Sequence, residues 1–483
     1  MNQILLQPTD VLFFKDGRPM TKALAGHGAA WPLPNVINAA FHAALHRGFP
    51  KAAVAATPTG AVGHRHRIVK NDASGRRFLV DDGRDRRFGS LVTAGPFPVK
   101  EGKYWFLPRP GDCVDNHGPA AALRPSLPGS ATGPSSLPKP LRYSLGSLAA
   151  PEKTTPGNAW WSRELFEAYL EGKMPPPKGT HAVDDAQIFD AEHAIGVAID
   201  PLTGCAGVGE ANGMLYSAHY LRLREQWGLG VLAQCQHAED KQLLGDLLKA
   251  GPGILVGGQL KVCTARSESV GKIECLPRGL TRGKQFKKHG NRVLVKWVLL
   301  SPAIWPKMEA GTSRRGTERR GHSGGWLPNW INEEDGAVLL QVVTEDERRR
   351  RRSLNYAGKS YASHESAVAI DARLVAAFVP KPLVVSGWAM PDANLGKSGG
   401  AQSTELAVPA GAVYYFEAAT EQEAEKLASV LNWHGRDTQP SDLHNRRSTL
   451  LGEKGFGLGV CGTWDFLPRS PGNATISGIE TKH

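Results

Sequence analysis

Six cysteines are scattered through 483 residues, at positions 113, 205, 235, 263, 275 and 461, and no two form a Cys-x-x-Cys pair. That spacing excludes a disulfide framework and a zinc ribbon. Cys235-Gln-His237 and His64-Arg-His66 each supply at most two metal ligands, and nothing nearby fixes a third, so no metal is expected. A run of about 18 apolar residues is also missing, and the opening Met-Asn-Gln-Ile-Leu-Leu lacks the apolar core of a signal peptide. The expectation is a cytoplasmic protein without a membrane span. Catalytic signatures are absent as well: there is no Gly-x-Ser-x-Gly, no His-Glu-x-x-His and no kinase set. Gly358-Lys-Ser360 and Gly396-Lys-Ser398 look like the end of a P-loop, but Ser353 and Pro391 stand where its first glycine belongs. The acidic neighbours Asp184-Asp185 and Glu333-Glu334-Asp335 sit in polar, loop-like surroundings and read as surface charge. No cofactor is expected.

Positive charge and glycine are abundant. Lys and Arg outnumber Asp and Glu by 58 to 46, giving a net charge of +12 and a pI near 9.4, which favours a polyanionic partner. Arginine is concentrated in the runs 314–320 and 347–352, readable either as solvated loops or as phosphate contacts. Gly455, Gly457, Gly459 and Gly462 fall within eight residues of one another in the stretch 452–462. A Rossmann loop follows a strand and opens a helix. This one follows a helix, whose start Thr420-Glu-Gln-Glu423 has the spacing of a capping box, and precedes a short strand. A dinucleotide site is thereby excluded. What remains is either a tight turn between packed elements or a backbone open to an anion.

The same order occurs earlier. Residues 3–14 read as a strand, with Pro8 marking an edge or a bulge, and a helix follows from Pro34 with Val36, Ile37, Ala40, Phe41, Ala44 and Leu45 on one face. Short strands are predicted over 89–108, and further strands over 194–200, 213–222 and 228–235. A helix over 238–250 then leads into the glycine-rich 251–261. In the second half, strands at 292–300, 382–388 and 411–418 and a helix at 420–433 repeat the sequence of elements, the first helix of that half having the weakest pattern. The fold class predicted is α+β, as two tandem ferredoxin-like (RRM-like) domains with glycine-rich loops and long insertions. Residues 1–285 would form the first domain, with insertions at about 50–90 and 108–190. Residues 286–483 would form the second, with an insertion at about 308–375.

Two such units, each with a glycine-rich segment after its second helix, resemble the RAMP superfamily of CRISPR-associated RNA-binding proteins. More closely, Pro8-Thr-Asp-Val-Leu-Phe-Phe-Lys-Asp-Gly-Arg-Pro19 resembles the opening of the third subunit of the type III-B (Cmr module) effector complex. The similarity continues in order through Ile195–Asp200, Gly213–Tyr216, Leu221-Arg222, Leu299–Ile304, Gly325–Pro328, Gly387-Trp388, Val408–Phe416 and Gly455–Gly459. Residues 50–90, 108–190 and 312–325 carry no matching motif. The resemblance implies a non-catalytic, RNA-binding subunit that holds the 5′ tag of the CRISPR RNA and serves antiviral defence. Its partners would be the large polymerase-like subunit and the backbone RAMP subunit.

The residues expected to hold the tag are Lys454 with the backbone of Gly455, Gly457 and Gly459 on one side, and Lys15, Arg18, Lys22 and His27 on the facing wall. Trp31 or Phe456 would stack a base, an interaction worth on the order of 1–3 kcal/mol, unless either is a core residue. The alternative is a metal-independent CRISPR RNA-processing endoribonuclease of the same superfamily, with His27 as the base that deprotonates a 2′-hydroxyl.

Overall fold

The computed structural model describes residues 1–14, 24–26, 31–54, 67–71, 77–81, 88–113, 122–127, 136–148, 159–173, 181–207, 215–251, 253–312, 318–343, 367–389, 400–401 and 403–468. Strand β1, Asn2–Pro8, buries Ile4 and Leu6 on one face, as alternation requires. Helix α1, Pro34–Gly48, begins with a proline, whose missing N–H has no partner in a first turn anyway, and buries Ile37, Phe41, Ala44 and Leu45. Strand β2, Leu91–Lys100, is buried almost throughout, and β3, Trp227–Cys235, lies beside it. Helix α2, Ala238–Ala250, has Glu239 and Asp240 in its first turn, Lys249 in its last, and stops at Gly251 with φ +61°. Strand β4, Val262–Ser269, closes the unit. The sheet order is β4-β1-β3-β2, every neighbour antiparallel. Short strands Tyr104–Pro108, Ala159–Ser162 and Ala182–Asp184 extend it beyond β2, and Ile254–Leu255 extends it beyond β4. Strand β1 is interior over Asn2–Leu6, where both neighbours pair with it; at Pro8 only Cys263 of β4 lies opposite, so the proline falls at the edge position expected of it.

The second half repeats the order. Strands β5 (Arg292–Leu299), β6 (Ala372–Phe378), β7 (Val413–Ala418) and β8 (Gly459–Thr463) pair as β8-β5-β7-β6, again all antiparallel. Helix α3, Glu421–Leu431, starts on Thr420, whose Oγ1 accepts from the Glu423 N–H at 3.2 Å. The reciprocal half of the capping box is not made. The Glu423 carboxylate instead accepts from the Asp371 N–H at 2.8 Å and pairs with Lys426. Between β5 and β6 no helix occurs among the described residues. Irregular chain bearing Trp305, Leu327, Trp330 and Ile331 packs there, against Trp297, Tyr414 and Phe416. Aromatic bulk from these described residues covers that face.

The two sheets share a core. Val92, Ala94 and Phe97 of β2 belong to the same buried group as Leu294 and Val298 of β5, Tyr415 of β7 and Trp464. Into this joint packs the helix Arg163–Leu170, capped by Ser162 and burying Phe166, Tyr169 and Leu170. It lies in the stretch 108–190 expected to be an insertion. At eight residues, flanked by Pro- and Gly-rich chain, it is too short to show a convincing period. A separate hairpin, Phe189–Val197 with Leu215–Leu223, pairs with Leu12–Phe13 and with Leu24–Gly26.

Candidate nucleic-acid interface

Two of the features expected at the site, Trp31 and the glycine segment, converge with helix α1 along β2. The Trp31 indole Nε1 donates to the Pro96 carbonyl at 2.9 Å. Asn38 of α1 donates to Thr93 Oγ1 at 3.2 Å. Gly455 faces the same strand: a Cβ there would lie 2.8 Å from Thr93 O, 3.2 Å from Ala94 Cα and 3.4 Å from Pro34 Cβ. Trp31, the first turn of α1 and the glycine segment thus meet at residues 93–96. Helix α1 has Leu33 at its N-cap, which supplies no side-chain acceptor, and its first turn contains no acid. No side chain of its own first turn compensates the positive end of its dipole. Lys454 is half-buried beside it, on the turn Gly452–Lys454.

The glycine segment itself is put to a different use from the one expected. The N–H groups of residues 454–458 all have acceptors inside the protein: Leu451 O for Lys454 and Phe456, Gly452 O for Gly455, Pro302 O for Gly457 at 2.7 Å, and Ser301 Oγ for Leu458. None is left for a phosphate, so the expected main-chain grip by Gly455 and Gly457 is corrected. Gly459 is equally committed: its carbonyl accepts from Trp433, and a Cβ would overlap the Trp297 indole. Phe456 is also reassigned. It is fully buried with Ile304, Val385, Ala407 and Leu450 and has no face open to a base. Side chains are missing from this segment because protein backbone and aromatic rings fill the space.

The earlier glycine segment works the same way. The Gly258 N–H donates to Phe13 O at 2.9 Å, just as Gly457 bonds Pro302. In each half the glycines before the fourth strand tether the chain that leaves the first. Trp31 is half-buried, its ring centroid 5.2 Å from Trp160 and 6.2 Å from Phe189. Lys15, Arg18, Lys22 and His27 lie outside the described residues. So do His64 and His66, both near-P-loop segments and the run 347–352. Of the run 314–320, Glu318–Arg320 are described, and Arg320 is exposed.

Sequence reasoning missed a second polar centre, between the two sheets. Asp112 is 4% exposed; its carboxylate accepts from the Tyr169 hydroxyl at 2.8 Å and from the Tyr415 hydroxyl at 2.7 Å. Close by, Lys296 of β5 lies 3.2 Å from the Tyr169 ring centroid and donates to the Tyr169 carbonyl at 3.2 Å. Burial pulls the Lys296 ammonium down to about 8, opposed by the charge of Asp112, while burial pushes both tyrosines well up. The linkage has a definite sign. Below pH 8 the lysine is protonated in both states and its burial penalty is felt in full. Between about 8 and 10.5 the folded protein has shed the proton and the unfolded chain still holds it, so stability rises with pH, by at most roughly 3 kcal/mol. Above pH 10 the tyrosines reverse the trend. Urea denaturation at pH 7.5, 8.5 and 9.5 should show this rise in the wild type and none in Lys296→Met; equal slopes in the two would refute it.

Among the described residues no three His, Cys, Asp or Glu side chains are grouped to hold a metal, and no helix is long and apolar enough to cross a membrane. Two antiparallel sheets of like order, each tethered by a glycine segment before its last strand, make this a mixed α/β, sheet-rich chain of the RAMP-like class found in CRISPR effector complexes. A family model described as CRISPR-associated protein (Cas_Cmr3) matches residues 4–464, and the chain belongs to that family. It is a type III CRISPR effector subunit. No curated protein matches the sequence. Among solved structures, it is similar to a chain of the type III-B Cmr-beta complex bound to cognate target RNA and AMPPnP, at 13% identity over 86% of each chain with a TM-score of 0.37. A chain of the Csm3–Csm4 subcomplex of the type III-A interference complex is similar at 9% identity, over 87% of this chain and 94% of that one, with a TM-score of 0.33. A Cas6-related protein from Pyrococcus furiosus is similar at 10% identity over 50% of this chain and 70% of its own, with a TM-score of 0.19.

Proposed function

We propose that this chain is a non-catalytic, RNA-binding subunit of a cytoplasmic type III-B effector complex. It holds the 5′ tag of the CRISPR RNA and bridges the large polymerase-like subunit to the backbone RAMP subunits. One observation carries the reading: Trp31, the uncapped and acid-free start of α1, and Lys454 come together along β2 at residues 93–96. A helix end of this kind attracts phosphate, a half-open indole stacks a base, and a lysine adds salt-sensitive attraction. The order β4-β1-β3-β2, with helices in both crossovers, supports a ferredoxin-like first unit. The second unit has the same strand order, with one α-helix among its described residues.

In the assembled complex, Trp31→Ala and Lys454→Glu should each weaken binding of tagged single-stranded RNA by about tenfold, the equivalent of about 1.4 kcal/mol. Lys454→Glu should also flatten the dependence of affinity on salt by about one phosphate contact. Unchanged affinity in both variants would remove this corner from the site. Incubation of the wild-type chain with precursor RNA should yield no cleavage; specific cleavage abolished by His27→Ala would replace the binding role with the nuclease.

A further inference from the structure

Residues 275–308 contain no Asp or Glu, yet carry Arg278, Arg282, Lys284, Lys287, Lys288, Arg292, Lys296 and Lys307. A solvated loop would meet that description, but this segment is held in place. The Gln285 carboxamide oxygen accepts from the Thr281 and Arg282 amides, the Gly283 amide donates to Glu425, and Phe286 is buried. The ordered backbone displays Arg282, Lys284, Lys287, Lys288, His289 and Arg292 to solvent. Part of the entropy that a charged partner would have to overcome is therefore already lost.

This ridge borders a narrow cleft of about 50 Å³ between the two sheets. Arg124 and Lys287 line it, with Lys296, only 5% exposed, among its lining groups. Two carboxylates line it too. That of Asp112 is taken up by the hydroxyls of Tyr169 and Tyr415. That of Asp465 lies 3.1 Å from Lys287 in a pair whose side chains are 44% and 54% exposed, a contact that an incoming anion can exchange at little cost. Arg124 has no ion-pair partner within 4 Å among the described residues, and the Lys296 ammonium uses a single carbonyl acceptor. At the rim, the exposed His289 ring lies 4.6 Å from Phe466, and Phe466 is 5.1 Å from Tyr143. Three cations around a cleft with an exposed ring at its edge suit a phosphodiester with its base stacked outside.

We propose that this cleft is a second RNA contact, in which Arg124, Lys287 and Lys296 hold a backbone phosphate of a single strand and His289 stacks the adjoining base. The proposal rests on the reading of the chain as an RNA-binding subunit, but on a different surface. Strand β8 has its Gly459 end next to the glycine segment and its Thr463 end at the cleft, and its four steps span roughly 13 Å.

The test uses the assembled complex and the double variant Arg124→Gln/Lys287→Gln, beside the corner variants Trp31→Ala and Lys454→Glu. The probes are a labelled single-stranded RNA carrying the tag and, separately, AMP. The cleft variant should bind the RNA about tenfold or more weakly, with a salt slope smaller by about two contacts and an unchanged melting temperature. Corner variants weakened with the cleft variant unchanged would overturn the cleft alone. All variants unchanged would overturn both readings. Loss of AMP binding without loss of RNA binding would make the cleft a mononucleotide site and overturn the RNA contact. A lowered melting temperature with normal RNA affinity would make Arg124 and Lys287 structural.

Discussion

Gly457→Ala is expected to destabilise the second half of the protein by about 3 kcal/mol or more, before any effect on RNA can be read. The residue has φ +78°, and an added Cβ would lie 2.8 Å from Arg447 C and closer still to Ser448 N, both backbone atoms that no rotamer change can move. Strain of the left-handed backbone adds to the overlap, and relief would break the Gly457–Pro302 hydrogen bond. Gly204 is the control: at φ +67° with nothing within 4 Å of its Cβ position, Gly204→Ala should cost only about 1 kcal/mol. Tryptophan fluorescence during denaturant unfolding reports the outcome, since Trp297, Trp305 and Trp433 are buried around this segment. A Gly457→Ala protein that unfolds like the wild type while losing RNA would restore the segment to the ligand site.

Asp112→Ala should be the most damaging change at the joint between the sheets, at about 3–5 kcal/mol. It strips two buried tyrosine hydroxyls of their acceptor and leaves Lys296 without the carboxylate that opposes its desolvation. Removing the lysine as well should recover part of the loss. Asp112→Ala/Lys296→Met is thus expected to be more stable than the sum of its single changes by about 1–3 kcal/mol. Denaturant titrations of the two single variants and the double variant test this, and strict additivity would refute the coupling.

Much of the scaffold was legible along the chain. Pro34 and the apolar spacing after it locate α1, Gly251 ends α2, Thr420 caps α3, and alternating apolar residues mark β1. Each signal is local, because a helix or strand writes its own period into the side chains that it buries. The glycine segments were legible as places without side chains, but their role was misread. A sequence shows that a Cβ is missing and is silent on whether a ligand, an indole or another backbone takes the space. Phe456 was ambiguous for the same reason. One usable signal was passed over: the acid-free run 275–308 stands in the sequence as plainly as the arginine runs do.

By itself, then, the sequence determined an α+β chain with a basic surface, two glycine segments in equivalent places and the motif order of its family. Tertiary structure alone decided that the glycines serve packing, that irregular aromatic chain covers one face of the second sheet, and that Asp112 and Tyr415 meet across 303 positions. No local pattern encodes such a meeting. The hydrogen bond exists because two sheets close on a shared core, and its partners are chosen by that packing rather than by their sequence neighbours.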